Sequence, residues 1–184
     1  MPTQFIVQKS AFPDSAPETL RGFVEKLGLP PLSSITESSA TACVTFQADV
    51  PQNVFDESLT NLVMVFLNSA KQDRYNNIDA KTDLIIGRGF VFSGMTFSTS
   101  MEAQARMLGM LILSTNPLLQ YPIIWNNLDD TGAITLPDAA MVQSFVLTGI
   151  GYYRAAIDSG STLKAAVRGA VDIAAVRAIV DTRS

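Results

Sequence analysis

Asp129 and Asp130 are adjacent acids that could act as a reactive carboxylate pair. Such a pair can bind a divalent cation or share general acid–base work. These two aspartates, however, lie between two apolar segments and are followed by Thr-Gly, where aspartates usually bond local backbone amides and shape a turn. Glycoside hydrolysis would need two carboxylates that face each other across a cleft, which neighbours on a turn rarely achieve. We therefore expect a turn here and no active site.

Other reactive residue types are scarce in the sequence. It contains no histidine, which excludes a Ser–His or Cys–His nucleophile pair and a zinc site with histidine ligands. Its one cysteine, Cys43, lies in an apolar run and is predicted to be a buried, inert thiol. We therefore predict a protein that is not an enzyme, with no catalytic, cofactor-binding or metal-binding residues and no cofactor.

Two further motifs have both a binding and a structural interpretation. Gly87-x-Gly89 is typical of part of a nucleotide-binding loop, but the third glycine and the following helix are missing, so a helix end before a hairpin is expected. Tyr121 with Trp125, and Tyr152-Tyr153, could stack on sugar rings. Since the sequence places no polar cluster with them, core packing is the expected role.

The composition limits the classes of partner. Of the 184 residues, 47% are hydrophobic and 16% are charged, and the net charge is −4. This low charged fraction is typical either of a surface that partner chains cover or of a neutral Ala/Ser/Thr surface. No Lys/Arg cluster could neutralise a row of phosphates, so no nucleic-acid binding is expected. The longest apolar run, residues 62–67, is far too short to cross a bilayer, so no membrane insertion is expected.

Residues 1–70 are predicted to form an N-terminal α+β lobe for interaction and assembly. Its predicted elements are a strand at 4–7, a helix with a Ser15–Glu18 capping box that ends at Gly28, an extended segment at 33–38, a strand at 41–48 and a helix from Asn53. Residues 63–67 fit either that last helix or a buried strand.

Residues 71–184 are predicted to form a C-terminal lobe of β-hairpins packed with helices. The predicted elements are a polar connector helix at 71–83, a hairpin at 90–97 around Ser93-Gly94, a helix from the Thr99–Glu102 capping box to Leu113, a hairpin at 123–136, a helix broken at Gly160, and a last helix capped by Asp172. The large aromatic residues of the first hairpin and Trp125 should share one core.

Several motifs in residues 74–183 occur in a fixed order. They are Arg74, Ile78-Asp79-Ala80-x-Thr82 and Leu84-Ile85; Gly89-Phe90-x-Phe92-x-Gly94-x-x-Phe97-Ser98; Ala103-Gln104; Tyr121-Pro122-Ile123, Trp125 and Leu128-Asp129-Asp130; Phe145; Ser159-Gly160-x-x-Leu163-Lys164; and Val180-Asp181-Thr182-Arg183. In these features the chain resembles a domain of unknown function common in tail proteins of bacterial viruses. The resemblance brings no catalytic residues with it.

What the resemblance implies is a structural virion component of a bacteriophage tail or baseplate. Such a chain would link fibre or baseplate proteins and would be assembled in the host cytoplasm. Two alternatives stay open: a tail fibre assembly chaperone, and a module that binds receptor glycans. We also expect a homo-oligomer, with a trimer favoured by analogy with fibres and with contacts made mainly by residues 1–70 and the connector helix.

Overall fold

The computed structural model of the protein describes residues 3–8, 21–22, 24–37, 41–117 and 119–184. The fold is α+β, as predicted, and its sheets are small and antiparallel. The strands are β1 (Gln4–Gln8), β2 (Leu32–Glu37), β3 (Thr41–Phe46), β4 (Phe90–Phe92), β5 (Met95–Phe97), β6 (Ile123–Asn126) and β7 (Ala133–Leu136). The helices are α1 (Gln52–Gly87), α2 (Met101–Leu113), α3 (Ala139–Gly169) and α4 (Ile173–Ala178).

The chain divides into two compact units. The first unit comprises residues 1–75 and 166–180, and the second comprises residues 76–165 and 181–184. The C-terminal helix α4 therefore belongs with the N-terminal part of the chain. The assignment of separate roles to residues 1–70 and 71–184 stays a prediction.

Strand β3 is the centre of the first unit, because it pairs with both β1 and β2. Its alternate residues Ala42, Val44 and Phe46 are buried. In the same core the ring of Phe5 stacks on that of Phe55, from α1, with 3.9 Å between centroids. The ring of Phe46 meets both of these rings edge-on at 5.9 Å. This aromatic cluster joins the sheet to α1.

Cys43 is half-buried and not buried, so that prediction was wrong. Successive side chains of a strand alternate between its faces, and the neighbours Ala42 and Val44 take the core positions. Cys43 therefore lies on the other face of β3, in register with Ile6 of β1, which is 74% exposed.

Two basic side chains of α1 bind the ends of the later helices in the first unit. Lys71 Nζ donates to the carbonyl oxygen of Arg168, in the last turn of α3, at 3.0 Å. Arg74 Nη2 donates to the carbonyl oxygen of Arg177, near the end of α4, at 3.1 Å. The last carbonyl groups of a helix lack partners within the helix and carry partial negative charge, so a cation is favourable there.

Phe145 of α3 is the centre of the second unit. It is fully buried and contacts four aromatic rings from both hairpins. Its centroid distances are 5.0 Å to Phe97, 5.2 Å to Phe90, 5.4 Å to Phe92 and 5.5 Å to Trp125. The prediction that the first hairpin and Trp125 share one core is confirmed.

Glycines shape the first hairpin of the second unit. Strands β4 and β5 are joined by Ser93-Gly94, whose φ angles of 48° and 79° fit a two-residue hairpin turn. Gly89 has a φ of 78°, and a Cβ atom there would lie 2.2 Å from the carbonyl oxygen of Phe97. Gly87 is the last residue of α1. Gly87-x-Gly89 is therefore a helix end before a hairpin, as predicted.

Near the C-terminal end of the sequence, Arg183 is bound on several sides within the second unit. Its Nε and Nη2 donate to the two carboxylate oxygens of Asp181 at 2.9 and 2.6 Å. On α1, Nη1 donates to Thr82 Oγ1 at 2.9 Å and Nη2 to the carbonyl oxygen of Ile78 at 3.0 Å. On α3, Nη1 lies 3.3 Å from both Ser159 Oγ and the carbonyl oxygen of Ala156. We call this set the Arg183 clamp; it comprises Ile78, Thr82, Ala156, Ser159, Asp181 and Arg183.

The charges of the clamp stabilise each other. The side chains of Arg183 and Asp181 are only 13% and 11% exposed. The hydrogen bonds from Arg183 hold the pKa of the Asp181 carboxyl below its usual value, and Asp181 raises the pKa of Arg183. Lys81 Nζ also donates to the carbonyl oxygen of Asp181 at 3.0 Å. Loss of the Asp181 charge would therefore leave a largely buried cation poorly compensated.

Gly160 makes room for the clamp and does not end a helix. A Cβ atom at this position would lie 2.8 Å from Thr82 Oγ1 and 3.0 Å from Arg183 Nη1. Helix α3 continues through Gly160 to Gly169, so the predicted break is wrong. A single glycine costs an internal helix about 1 kcal/mol, which neighbouring helical residues can offset.

The other predicted helical segments are helical, but some of their boundaries differ from the prediction. The predicted connector at 71–83 is not a separate helix but part of the C-terminal half of α1, and residues 63–67 are helical as well. Ser100, not Thr99, caps α2, because its Oγ accepts a hydrogen bond from the backbone N–H of Ala103 at 3.2 Å. Asp172 caps α4 as predicted, accepting from the N–H of Ala175 at 2.7 Å.

Some predicted positions differ or cannot be compared. The apolar spacing along the last helices also predicts inward positions for Val171 and Val180, and this is wrong, since they are 82% and 64% exposed. Ile173 and Val176 between them are buried. Residues 21–22 and 24–25 are helical, as expected for the helix that ends at Gly28. Its predicted capping box, Ser15 and Glu18, lies outside the described residues.

Truncation of Phe145 tests the aromatic core. Phe145→Ala should lower the free energy of unfolding by about 3–5 kcal/mol, because it removes a ring with four aromatic neighbours and leaves a cavity. Urea unfolding of the full chain, followed by the fluorescence of Trp125, would measure this loss. The control Val91→Ala changes a side chain on β4 that is 65% exposed, and it should cost less than about 0.5 kcal/mol. Equal costs for the two variants would contradict the packing described.

The pH dependence of stability tests the clamp. Because the pKa of Asp181 is lowered by folding, its contribution is complete above the unfolded value of about 3.9 and is lost as the pH falls through the lower folded pKa. Asp181→Asn should therefore be less stable than the wild type near neutral pH, by about 2–3 kcal/mol. The difference should shrink below about pH 4.

The matched control for that experiment is Asp158→Asn, which changes an exposed residue of α3. It should leave stability within about 0.5 kcal/mol of the wild type near neutral pH. A difference between Asp181→Asn and the wild type that stayed constant from neutral pH to pH values well below about 4 would argue against the clamp as described.

Candidate functional site

The loop between β6 and β7, residues 127–132, is closed by its own hydrogen bonds. Gly132 N donates to Asn127 Oδ1 at 3.0 Å, and Asn127 N donates to the carbonyl oxygen of Gly132 at 2.9 Å. Within this frame the hydroxyl and the backbone N–H of Thr131 donate to Asp129 Oδ1 at 2.7 and 3.3 Å. Asp130 adopts a φ of 55°. The bonds of Asp129 are the local turn bonds expected for it, and Asp130 joins the loop through its backbone N–H, which donates to the carbonyl oxygen of Asn127 at 3.3 Å.

The Asp129 carboxylate is stabilised as an anion by this loop. The side-chain hydrogen bond from Thr131 is the main cause that lowers the pKa of Asp129, and the backbone N–H of Thr131 adds to it. Among the described residues, no group of three or more acids, histidines or cysteines is placed to hold a metal ion. The bonds of Asp129 are therefore those of a turn.

A polar cleft of about 330 Å³ lies beside this loop, where β6 and the start of α2 meet it. The lining is mostly polar and includes two acids and one base. The residues that line it are Ser98, Ser100, Glu102, Ala103, Arg106, Ile124, Trp125, Asn126, Asn127, Leu128 and Asp130. The volume is within the range of about 300–1,000 Å³ that is usual for small-molecule sites.

Trp125 joins this cleft to the core. Trp125 is 6% exposed, and its ring packs against Phe145. The guanidinium of Arg106 lies over the same ring, with 4.5 Å from Arg106 Cζ to the ring centroid. Tyr121 packs against the same core and donates its hydroxyl to the carbonyl oxygen of Ser114 at 2.8 Å. Core packing is thus confirmed for both residues. The expectation that Trp125 has no polar cluster near it was wrong, because the fold brings distant polar residues to it.

An apolar groove of about 350 Å³ lies between α2 and α3. Its lining includes Met101 and Leu108 of α2 and Gly149, Ile150 and Tyr153 of α3. Tyr153 therefore lines a groove, whereas Tyr152 packs against the core and donates its hydroxyl to the carbonyl oxygen of Ile85 at 2.5 Å. Neither tyrosine lines the polar cleft.

Helix α2 carries apolar residues on its exposed side as well as on its buried side. Ala103 and Met107 are buried, whereas Met101, Leu108 and Ile112 are 87%, 53% and 68% exposed. The spacing of the three exposed residues places them along one side of the helix. We call Met101, Leu108 and Ile112 the α2 stripe. The sequence contains a signal for this exposed side, since residues 107–113 are apolar or glycine at every position, more than one buried face requires.

No helix in the described part of the chain combines the length and the apolar character needed to cross a membrane. The family described as a domain of unknown function (DUF4376) matches residues 69–181, which is more than half of the chain. The protein therefore belongs to this family. We found no match to the chain among curated proteins or among solved structures.

The fold explains several motifs through which the chain resembled a known domain. Thr82, Ser159, Gly160 and Asp181 come from three separate motifs, and all of them surround the guanidinium of Arg183. Other motif residues, such as Phe90, Phe97 and Trp125, contact Phe145. These motif residues therefore stabilise the fold, through the Arg183 clamp and the aromatic core around Phe145.

Removal of the Thr131 hydroxyl tests the loop geometry. Thr131→Val should raise the pKa of Asp129 towards its usual value of about 3.9, because the largest stabilising hydrogen bond is lost. Carboxyl carbon NMR titration of the full chain would measure the midpoint directly. Thr135→Val, at an exposed position on β7, should leave the midpoint unchanged. An unchanged pKa in Thr131→Val would contradict the assigned bond.

Proposed function

We propose that this protein is a structural component of a bacteriophage tail or baseplate, in which it joins other protein chains, for example in attaching a fibre. The resemblance of residues 74–183 to a domain of phage tail proteins supports the phage setting. The α2 stripe is the observation that carries the joining role. The protein is not an enzyme in this proposal, and it resides in the virion after assembly in the host cytoplasm.

The α2 stripe supports protein–protein contact because the exposure of apolar side chains to water is unfavourable in free energy. Single exposed apolar residues are common on protein surfaces, but contiguous apolar patches mark interaction sites. Met101 and Leu108 line the apolar groove directly, so the stripe continues into a concave surface. An apolar segment of another tail chain could fill that groove and cover the stripe. Burial of such a surface would provide the favourable free energy of association.

Self-association is part of the same proposal. The low charged fraction of the sequence, 16%, agrees with a surface partly covered by other chains. The favoured homo-oligomer is a trimer, by analogy with fibres, and its main contacts are made by residues 1–70 and by the segment 71–83 of α1. Light scattering of the full chain would measure the mass in solution, and a strict monomer at high concentration would contradict this part.

Introduction of charge into the stripe tests the joining role. The double variant Leu108→Asp with Ile112→Asp should fold, since both side chains are exposed, but should be depleted at least about tenfold from particles. The measurement is mass spectrometry of purified particles of the bacterial virus that encodes the chain. Val91→Asp, at an equally exposed apolar position outside the stripe, should enter particles as the wild type does.

The wild-type result decides between the virion role and the chaperone. If the wild-type chain is absent from purified particles but needed for fibres to form, the virion role is wrong and the chaperone alternative replaces it. If the double variant enters particles as efficiently as the wild type, the α2 stripe is not the joining surface.

A further inference from the structure

We infer that the polar cleft beside Trp125 is a binding site for an uncharged saccharide. The inference is independent of the assembly role of the α2 stripe, since no residue that lines the cleft belongs to the stripe or to the apolar groove. It rests on three observations: the chemistry of the side chains that line the cleft, the contact of Arg106 with Trp125, and the hydrogen bonds that close the loop.

The lining offers both hydrogen-bond donors and acceptors in one concavity. Glu102 and Asp130 supply carboxylate acceptors, Arg106 supplies donors, and the amide of Asn126 supplies both. The formal charge of these groups is −1, which disfavours an anionic ligand. A sugar hydroxyl group both donates and accepts, so an uncharged molecule with several hydroxyl groups fits this set.

Arg106 already has an aromatic partner at the cleft. Its guanidinium lies over the ring of Trp125 at 4.5 Å, and that ring is itself fixed by contact with Phe145. A cation over an indole face is favourable, so this contact favours positions of the exposed Arg106 side chain beside Trp125, at the cleft. A group that is already ordered loses little conformational entropy when a ligand binds.

The loop side of the cleft is equally well ordered. Asn127 uses its side chain within the loop, donating to Thr131 Oγ1 at 3.2 Å and accepting from Gly132 N at 3.0 Å. The backbone N–H of Leu128 donates to the carbonyl oxygen of Thr96 at 2.8 Å, which ties the loop to the first hairpin. The adjacent Asn126 and Asp130 therefore extend from a fixed backbone. Both are exposed, so their polar atoms are accessible to a ligand.

NMR titration of the full chain tests the inference. Trp125 is the sole tryptophan, so its indole N–H gives one signal that reports directly on the cleft. The probes are methyl glucopyranoside, methyl galactopyranoside and N-acetylglucosamine, with glucuronate and inorganic phosphate as charged comparisons. We expect at least one neutral probe to shift the Trp125 indole and Asn126 amide signals, with a Kd on the order of 1 mM.

Two variants assign the shifts to the cleft. Asn126→Ala should weaken the binding of that probe about tenfold, because it removes groups that contact the ligand, and Arg106→Lys should weaken it by a similar factor because it removes the planar fork. Thr135→Ala, on the exposed side of the same hairpin, should bind as the wild type does. Tighter binding of an oligosaccharide than of its monosaccharide would identify a glycan chain, and equal affinity would identify a free sugar.

Three results would overturn the inference. The first is the absence of shifts at Trp125 and Asn126 with every neutral probe. The second is binding of glucuronate or phosphate alone, which would make the cleft an anion site. The third is binding that Asn126→Ala and Arg106→Lys leave unchanged, which would place the sugar elsewhere. None of these results depends on whether the chain is found in virus particles.

Discussion

The contacts of Phe145 with four aromatic rings are the interaction on which the second unit depends. Each hairpin of this unit is a sheet of only two strands, and such a hairpin is marginally stable in water by itself. The two hairpins share no strand pairing, and both place aromatic rings against Phe145. The geometry of the polar cleft follows from the same packing, because Phe145 fixes Trp125, and Trp125 in turn positions Arg106.

Local patterns predicted much of this fold because local chemistry determines it. The turn at Ser93-Gly94 and the cap at Asp172 depend on φ angles and short-range hydrogen bonds that a few residues specify. Prediction from local patterns failed where contacts between residues distant in the sequence determine the structure. Gly160 looks like a helix break, and only the nearby guanidinium of Arg183 shows why a glycine stands inside α3. The inward position expected of Val171 was wrong because α3 ends at Gly169, so Val171 lies between α3 and α4 and not on the apolar side of a helix.

The polar cleft could not be predicted from the sequence, although each of its residues is visible there. Arg106 is nineteen positions from Trp125, and no motif joins a residue of α2 to one of β6. Their contact depends on the way α2 and the second hairpin pack on a common core. The turn at Asp129, by contrast, was predicted correctly because its partner Thr131 is two residues away. Contacts between residues close in the sequence could therefore be predicted, whereas contacts between distant residues could not.

Three basic side chains of α1 donate hydrogen bonds to the backbone of the C-terminal segment. Lys71, Arg74 and Lys81 each donate to a main-chain carbonyl oxygen, those of Arg168, Arg177 and Asp181. Every residue type offers the same carbonyl group, so these bonds place little constraint on side-chain identity at the accepting positions. They do constrain the number of residues between the accepting positions. An insertion or deletion of one residue between positions 169 and 181 would move the carbonyl groups out of register, so this segment should tolerate substitution far better than a change in length.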